Sequence, residues 1–480
     1  MSVILSMGLA VMGFGPLALP VAAGGPETVQ FPSTACPDNG ADMLQACIDS
    51  VASGSTVILT SEINDGERAL IDKSLTLRAV DRSLRPMLDS VVVQLNSLSP
   101  SSVYVTVQDI RIPYLVRVNL ARGSGHHVLL QRLEVGKGAP NTRAVEIATS
   151  VPASISVESS YIRGDDNQGD ALNMFAGDPD GPVVFRAIGN RINLHGNALS
   201  GSGITVTMQD DGTVRADLMN NTIWDVGRCI CGAASGIAIV PYRQIVADVN
   251  IVGNTIERSS TNAIQQRNSL TGAGRLRLDV FDNIFSHIQN AAFHLDSGAP
   301  GSLTFRAGYN DYYATGGNSL DGQSKGSNNM SRDPQFVDRV AGNLKLTSSS
   351  ALIDKGIVCS PGGVAIVDAA GNTRLRGASA DIGAHERGAS AVTGTALVGT
   401  SGGNILTGTS GADILCGYAG TDVLTGKGGE DYLNGGTGKD RLCAKDGVHG
   451  NDRLDGGPDS DAYRADSGDP RTSVERSASC

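Results

Sequence analysis

The sequence predicts an all-β protein built of two coil stacks: a right-handed parallel β-helix with an N-terminal capping helix, followed by a parallel β-roll. Three observations predict it. Aromatic residues make up only 4% of the 480-residue chain while glycine fills 61 positions, and the hydrophobic 40% is mostly Val, Ile, Leu and Ala. A globular core of this size carries more aromatic residues, whereas stacked coils fill a narrow interior with aliphatic ladders and turn at Gly, Asn and Asp. An asparagine recurs at near-constant spacing from Asn190 to Asn310, in one phase of an apolar alternation. From Gly399 the chain changes to nine-residue units that keep glycine, aspartate and leucine each at a fixed position. The net charge of −11 argues against a nucleic-acid binder, which would present a basic face.

At the N-terminus, residues 1–23 read as a cleaved export signal. Met1 to Ala23 is an apolar run without a preceding Lys or Arg, and Val21 and Ala23 suit signal-peptidase cleavage before Gly24-Gly25. The run also approaches membrane-spanning length. Its Gly and Pro content and small-residue exit favour cleavage, so the mature chain is expected outside the cell or at its surface, without stable membrane insertion. Eight cysteines fit an oxidising compartment. Cys36 and Cys47 bracket a short segment and are the expected pair, while Cys229 and Cys231 read as buried or separately paired cysteines.

Residues 24–388 are assigned to the β-helix and its cap. Ala41 to Ala52 reads as a short amphipathic helix, with Met43, Leu44, Ala46, Cys47 and Ile48 near one face. Such a helix would cover the open end of a coil stack. Val57-Ile58-Leu59 and Leu75-Thr76-Leu77 are read as the first strands.

The repeat is carried by Asn190, Asn221, Asn254, Asn283 and Asn310, spaced 31, 33, 29 and 27 residues apart. Three residues before each stand Ala187, Leu218, Ile251, Val280 and Ala307; five before stand Phe185, Ala216, Val249, Leu278 and Phe305. That is the period-two pattern of strand residues facing a core. Each chain turn is placed at the Asn, which tolerates left-handed backbone and can hydrogen-bond along a stack. A third strand per coil runs through Val145 and Ile147, Leu172 and Met174, Ile204 and Val206, Ile237 and Ile239, and Phe293 and Leu295. An antiparallel sandwich would not repeat one corner residue at such spacing.

This stretch resembles the pectate-lyase-like right-handed β-helix superfamily. Its tail, through Asp333-Pro334-Gln335-Phe336-Val337-Asp338, Leu344-Lys345-Leu346, Ser350 to Gly356, and then Asp368, Gly371, Arg374, Arg376 and Asp381 to Glu386, is similar to that of bacterial β-helix proteins of the choice-of-anchor Q type. Some relatives pair a cysteine before the Asp-Ile-Gly-Ala run with one like Cys359; here that position is Ala380. The resemblance implies a domain signature in the tail, and a substrate groove on the sheet that follows the asparagine corner and its next turn.

Seven nine-residue units run from Gly399 to Arg464, interrupted only by Ala444-Lys445-Asp446. Their sixth positions are Asn404, Asp413, Asp422, Asp431, Asp440, Asp452 and Asp461, and their eighth Leu406, Leu415, Leu424, Leu433, Leu442, Leu454 and Tyr463. A flexible Gly/Asp linker would not keep two phases through six units. The pattern resembles the RTX or hemolysin-type nonapeptide, which implies a β-roll over 399–464 that binds Ca2+ through Asp413, Asp422, Asp431, Asp440, Asp452 and Asp461, with residues 465–480 as a C-terminal tail. The same resemblance pairs each turn with the one two units on, Asp413 with Asp431 and Asp422 with Asp440. Asp459 stands where glycine is usual and leaves the last turn in question.

For the groove, the outward row reads Glu146, Asn173, Thr205, Ala238, Gln265 and His294, flanked by Arg143, Arg267 and Asp296, with Asp165, Asp166 and Asp170 in the preceding turn. A lyase or epimerase needs a cation to neutralise a carboxylate and a base to take the adjacent proton; a glycoside hydrolase needs two carboxyls at a set separation. Asp165, Asp166, Asp170, Arg267 and His294 are the catalytic candidates, and Arg143, Glu146, Asn173, Gln265 and Asp296 the candidates for holding a sugar. The three aspartates also suit plain turn residues. Three functions stay open: an extracellular glycan-interacting protein, an enzyme on an acidic polysaccharide, and a structural or adhesive spacer.

Overall fold

The computed structural model describes residues 25–36, 42–61, 63, 66–95, 102–136, 143–164, 169–177, 179–194, 201–209, 211–227, 234–267, 270–271, 273–296, 302–320, 323–364, 366–375, 377, 379–388, 394–477 and 479–480. The expected leader, Asp165, Asp166, Cys229, Cys231 and Arg376 lie outside the described residues. No helix among those described is long and apolar enough to cross a membrane.

Coils occupy the chain from Thr28 to Ser319 and form a right-handed parallel β-helix. One wall is an eleven-stranded sheet from Thr28–Phe31 to Leu303–Gly308. The other two walls form one sheet that bends through the eleven-residue strand Ile284–His294. The pairings among the coils are parallel and keep register from coil to coil, as in Phe185 beside Ala216, Val249 and Leu278, until the last, where Asp311–Ser319 meets Ile284–His294 with register shifts. The period-two rows point inward and build one continuous aliphatic core. At its C-terminal end the ladder turns aromatic: Phe293 packs edge-on against Phe285, Phe305 and Tyr312 at centroid separations of 5.3–5.8 Å.

The asparagine corner works differently from the sequence expectation. Left-handed backbone falls on the residue before each Asn: Gly189, Asn220, Gly253, Asp282 and Tyr309 all have φ between 53° and 65°. The corner asparagines act through their side chains instead. Asn221 Oδ1 accepts from the Asn190 backbone N–H and Nδ2, both at 3.0 Å, while Asn221 Nδ2 donates to Ala187 O at 2.8 Å. The same bonds repeat through Asn254, Asn283 and Asn310, all fully buried. Every corner amide is thereby satisfied without water.

The cap also differs in detail. The helix spans Met43–Ser50 and buries Leu44, Cys47 and Ile48, but Ala46 faces solvent. Glu67 accepts the Met43 and Leu44 N–H groups, in place of a side chain at the helix N-cap. A strand that sequence reading missed, Thr28–Phe31, precedes the helix and pairs with Ser55–Leu59. The Cys36–Cys47 disulfide forms as expected.

Beyond Ser319 the tail folds back on the coils. Its motif residues bind one another. Asp381 accepts the Asp354 and Arg387 N–H groups, Glu386 accepts the Asp381 N–H, Asp368 accepts those of Ala370, Asn372 and Glu386, and Arg374 Nη2 donates to Asp381 O at 2.8 Å. Gly383 docks where any side chain would strike Ile284 and Thr255, at φ 102°. The signature therefore builds the tail itself.

The β-roll is longer than the units suggest. Strands Ala396–Val398, Arg471–Thr472 and Arg476–Ser477 extend it at both ends, and Cys480 bonds Cys443, so the expected C-terminal tail is part of the roll. Each unit pairs with the one two along, giving two five-stranded sheets around Leu415, Leu424, Leu433, Leu442 and Leu454. The roll is joined to the tail by the Cys359–Cys416 disulfide, by Tyr418 donating to Ser360 O at 2.7 Å, and by an apolar cluster of Val358, Ala380 and Ile414. Ala380 lies beside the cysteine pair, and Cys416 supplies the partner for Cys359.

Candidate functional site

In the roll each unit's aspartate uses one carboxylate oxygen to accept a backbone N–H from two units earlier. Asp431 Oδ1 takes the Asp413 N–H at 2.9 Å and Asp440 Oδ1 takes that of Asp422 at 2.8 Å, the two expected pairs. The ladders continue through Asp452 and Asp461, and Glu475 Oε2 closes the second at 2.7 Å. Asp459 adopts φ 88°, so the last turn forms despite lacking glycine.

The second oxygen is what needs explaining. Oδ2 of Asp422, Asp431, Asp440, Asp452 and Asp461 is buried without a hydrogen-bond partner. A buried carboxylate oxygen with no partner is costly. The glycines opposite leave space for one: a Cβ on Gly417 would sit 2.5 Å from Asp422 Oδ2 and 2.4 Å from Gly435 O. On Gly435 it would sit 2.4 Å from Asp440 Oδ2 and 2.8 Å from Gly456 O. Carboxylate and carbonyl oxygens therefore converge on a cradle that only glycine leaves open. That is the donor set of a hard cation, which takes six to eight oxygens at about 2.3–2.6 Å. Among the described residues no three His, Cys, Asp or Glu side chains gather at one point; a cation held here would draw on main-chain carbonyls such as those of Gly435 and Gly456 beside the carboxylates.

Burial, followed by the neighbouring aspartates, pushes the carboxyls of Asp431 and Asp452 up to about 7 and that of Asp440 up to about 6; Asp422 and Asp461 are raised by burial. Without metal, the folded roll then holds protons that the unfolded chain has released. A raised carboxylate gives stability that is complete below its unfolded value and is lost as pH rises through its folded value. The metal-free roll should therefore gain protected amides at pH 5 relative to pH 8, with the change centred between about 6 and 7. Hydrogen exchange in chelator at the two pH values tests this, and equal protection would refute it.

On the β-helix the predicted row is in register: Glu146, Asn173, Thr205, Ala238, Gln265 and His294 lie side by side on consecutive coils. Its middle is not an open face, however. Asn173, Thr205 and Ala238 are buried. Several polar groups are already engaged. Glu146 sits between Arg117 at 2.9 Å and Arg143 at 3.1 Å. Asp170 accepts the Ser202 N–H at 2.8 Å and the Asn173 amide at 3.3 Å, which is the work of a turn residue. Gln265 accepts from Ser235 Oγ, and the Asp296 backbone is held by Gln266.

Arg267 stands apart. Its Nε and Nη2 are buried without a hydrogen-bond partner, and burial lowers its pKa, opposed by Asp170. Sequence reading missed the next outward row, Ala148, Phe175, Thr207 and Val240. With Tyr242, Phe175 and Thr207 join Arg143, Glu146 and Asn173 around a cleft of about 430 Å³. The signal was available: residues two along a strand share a face. The described catalytic candidates do not form a carboxylate pair, because Asp170 is the one carboxylate among them.

A family model of the RTX calcium-binding nonapeptide repeat matches residues 398–433, 417–448 and 450–470. The match covers the roll alone, whose units are thus RTX-type repeats. No curated protein matches the chain. Among solved structures it is similar to pectate lyase Pel9A, at 14% identity and TM-score 0.43 over 72% of this chain and 90% of that one. It is also similar to the PL6 family alginate lyase AlyGC, at 10% identity and TM-score 0.23 over 90% of this chain and 78% of that one.

Proposed function

We propose that this is a secreted protein whose roll binds Ca2+ through Asp413, Asp422, Asp431, Asp440, Asp452 and Asp461, and whose β-helix holds an acidic extracellular polysaccharide. The observation that carries the calcium reading is the file of buried, unpartnered Oδ2 atoms, of which those of Asp422, Asp431, Asp440 and Asp461 each face a glycine cradle. Bound calcium supplies the positive charge that these carboxylates lack. The chain's own part is to hold the oxygens in place: the ladder of N–H bonds to Oδ1 fixes each carboxylate plane, and the leucine core fixes the spacing of turns.

The glycan reading rests on the cleft. Phe175 and Tyr242 offer aromatic faces to a sugar ring; Arg267, outside that lining but within electrostatic reach of Asp170, has unused donors for a uronate carboxylate. Binding is favoured over cleavage, since Glu146 and Asp170 are committed to ion pairs and turn bonds. In calorimetric titration with uronate oligosaccharides, Arg267→Ala should weaken binding about tenfold, the loss of one charge-assisted hydrogen bond. Arg267→Lys should recover only part of it, because an ammonium lacks the planar fork. Equal affinity of parent and both variants would refute the reading, and unsaturated products in the parent incubation would favour an enzyme.

A further inference from the structure

A second cavity, of about 500 Å³, opens at the asparagine corner, away from the cleft, and is roofed by Ala369-Ala370-Gly371 of the tail. Four guanidinium groups line it, from Arg82, Arg85, Arg132 and Arg191, against a single carboxylate, Asp109. Arg132 engages that carboxylate through a fork at 2.6 and 2.8 Å, so the pair is neutral. Arg85 must share Glu134 with Arg111, at 3.1 and 3.7 Å. Among the described residues neither Arg82 nor Arg191 makes an ion pair. Nearby Asp81 turns its carboxylate to the Ser83 amide and hydroxyl, and Glu158 accepts from Gln131. In a chain of net charge −11 this is a local excess of positive charge.

Arg191 is held in place without a carboxylate. Its Cζ lies 5.3 Å from the Tyr161 ring and 5.7 Å from that of Trp224, and the two rings are 7° from parallel. Pairing of Tyr161 with Arg191 on adjacent coils sets this arrangement. Stacking occupies a guanidinium face and leaves its N–H edge available. Guanidinium forks on several sides of a polar cavity suit a compact oxyanion with several acceptor oxygens.

We propose that this corner cavity binds a sulfate or phosphate group, with Arg82 and Arg191 as its principal ligands. The group can arrive on a sulfated glycan or as the free anion, and the experiment separates these sources. Calcium-loaded full-length protein is titrated with a sulfated oligosaccharide, its desulfated counterpart, and inorganic sulfate at constant ionic strength. Arg82→Gln/Arg191→Gln should weaken the sulfated ligand at least tenfold and leave uronate binding unchanged, whereas Arg267→Ala should do the reverse. Both arginines are exposed, so thermal melting should not move. Sulfate dependence confined to the inorganic ion still supports the site and assigns it to the free anion. Equal binding by parent and double variant of both the sulfated oligosaccharide and inorganic sulfate overturns the proposal.

Discussion

Removing calcium from the full chain should strip exchange protection from residues 396–477 and leave the coils protected. The roll's fully buried apolar core is small, six residues centred on five leucines, too little to offset the ordering of some eighty residues. Five buried carboxylate oxygens add a further penalty until a cation neutralises them. Cation binding is thus folding energy for this segment. The β-helix has its own continuous core, large enough to outweigh the buried unpartnered oxygens of Glu257 and Asp311. The Cys359–Cys416 bond keeps the unfolded roll attached, and loss of the Val358, Ala380 and Ile414 cluster should raise exchange in the tail around those residues. Asp431→Ala should raise the calcium midpoint by about tenfold, since site affinity follows ligand charge. Hydrogen exchange with and without chelator reads all of this. Protection of the roll that is indifferent to calcium would sink the metal assignment.

Asn254→Leu should cost on the order of 4 kcal/mol, among the largest single-residue effects in the chain. Asn254 is fully buried, accepts two bonds from Asn221 at 2.9 Å, and donates to Leu218 O at 2.8 Å and Asn283 Oδ1 at 3.0 Å. A leucine of similar volume leaves the Asn221 N–H and the Leu218 carbonyl buried and unpaired, each costing about 1–3 kcal/mol. Asn329→Ala, at the half-exposed end of the ladder, should cost about 1 kcal/mol, because water can replace its bond to the Asn310 N–H. Urea denaturation compares the two, and similar losses would mean that the ladder is not cooperative.

Much of this architecture was legible because it is periodic. Counting from the asparagines put Glu146 through His294 in the observed register, since a slip by one residue would turn apolar side chains outward. The roll's units were legible for the same reason, while the stacking of Asp413 with Asp431 and Asp422 with Asp440 came from the resemblance to RTX repeats. What escaped was aperiodic. Nothing in the alternation said that Ala238 and Asn173 would be covered, or that Phe175 and Tyr242 from different coils would flank one cleft. Among the corner arginines Arg191 directly follows Asn190, but Arg82, Arg85 and Arg132 come from coils before the first asparagine of the repeat, which therefore said nothing of their meeting. Cys359 and Cys416 lie 57 residues apart, beyond any local rule. Left-handed backbone was assigned to the asparagines because that residue type tolerates it, yet the neighbour before each one bears it.

The asparagine ladder also has a direction. Each corner amide is satisfied by the side chain of the coil that follows it, and the last corner, at Asn310, waits for Asn329. The roll repeats this polarity, with Asp413 completed by Asp431 and Asp461 by Glu475. A chain delivered N-terminus first therefore always carries one open corner at its growing end, and a truncated product exposes that unsatisfied edge. Growth can continue but cannot pause at a coil without leaving that edge bare: Asn329 covers it for the asparagine ladder and Glu475 for one of the aspartate ladders.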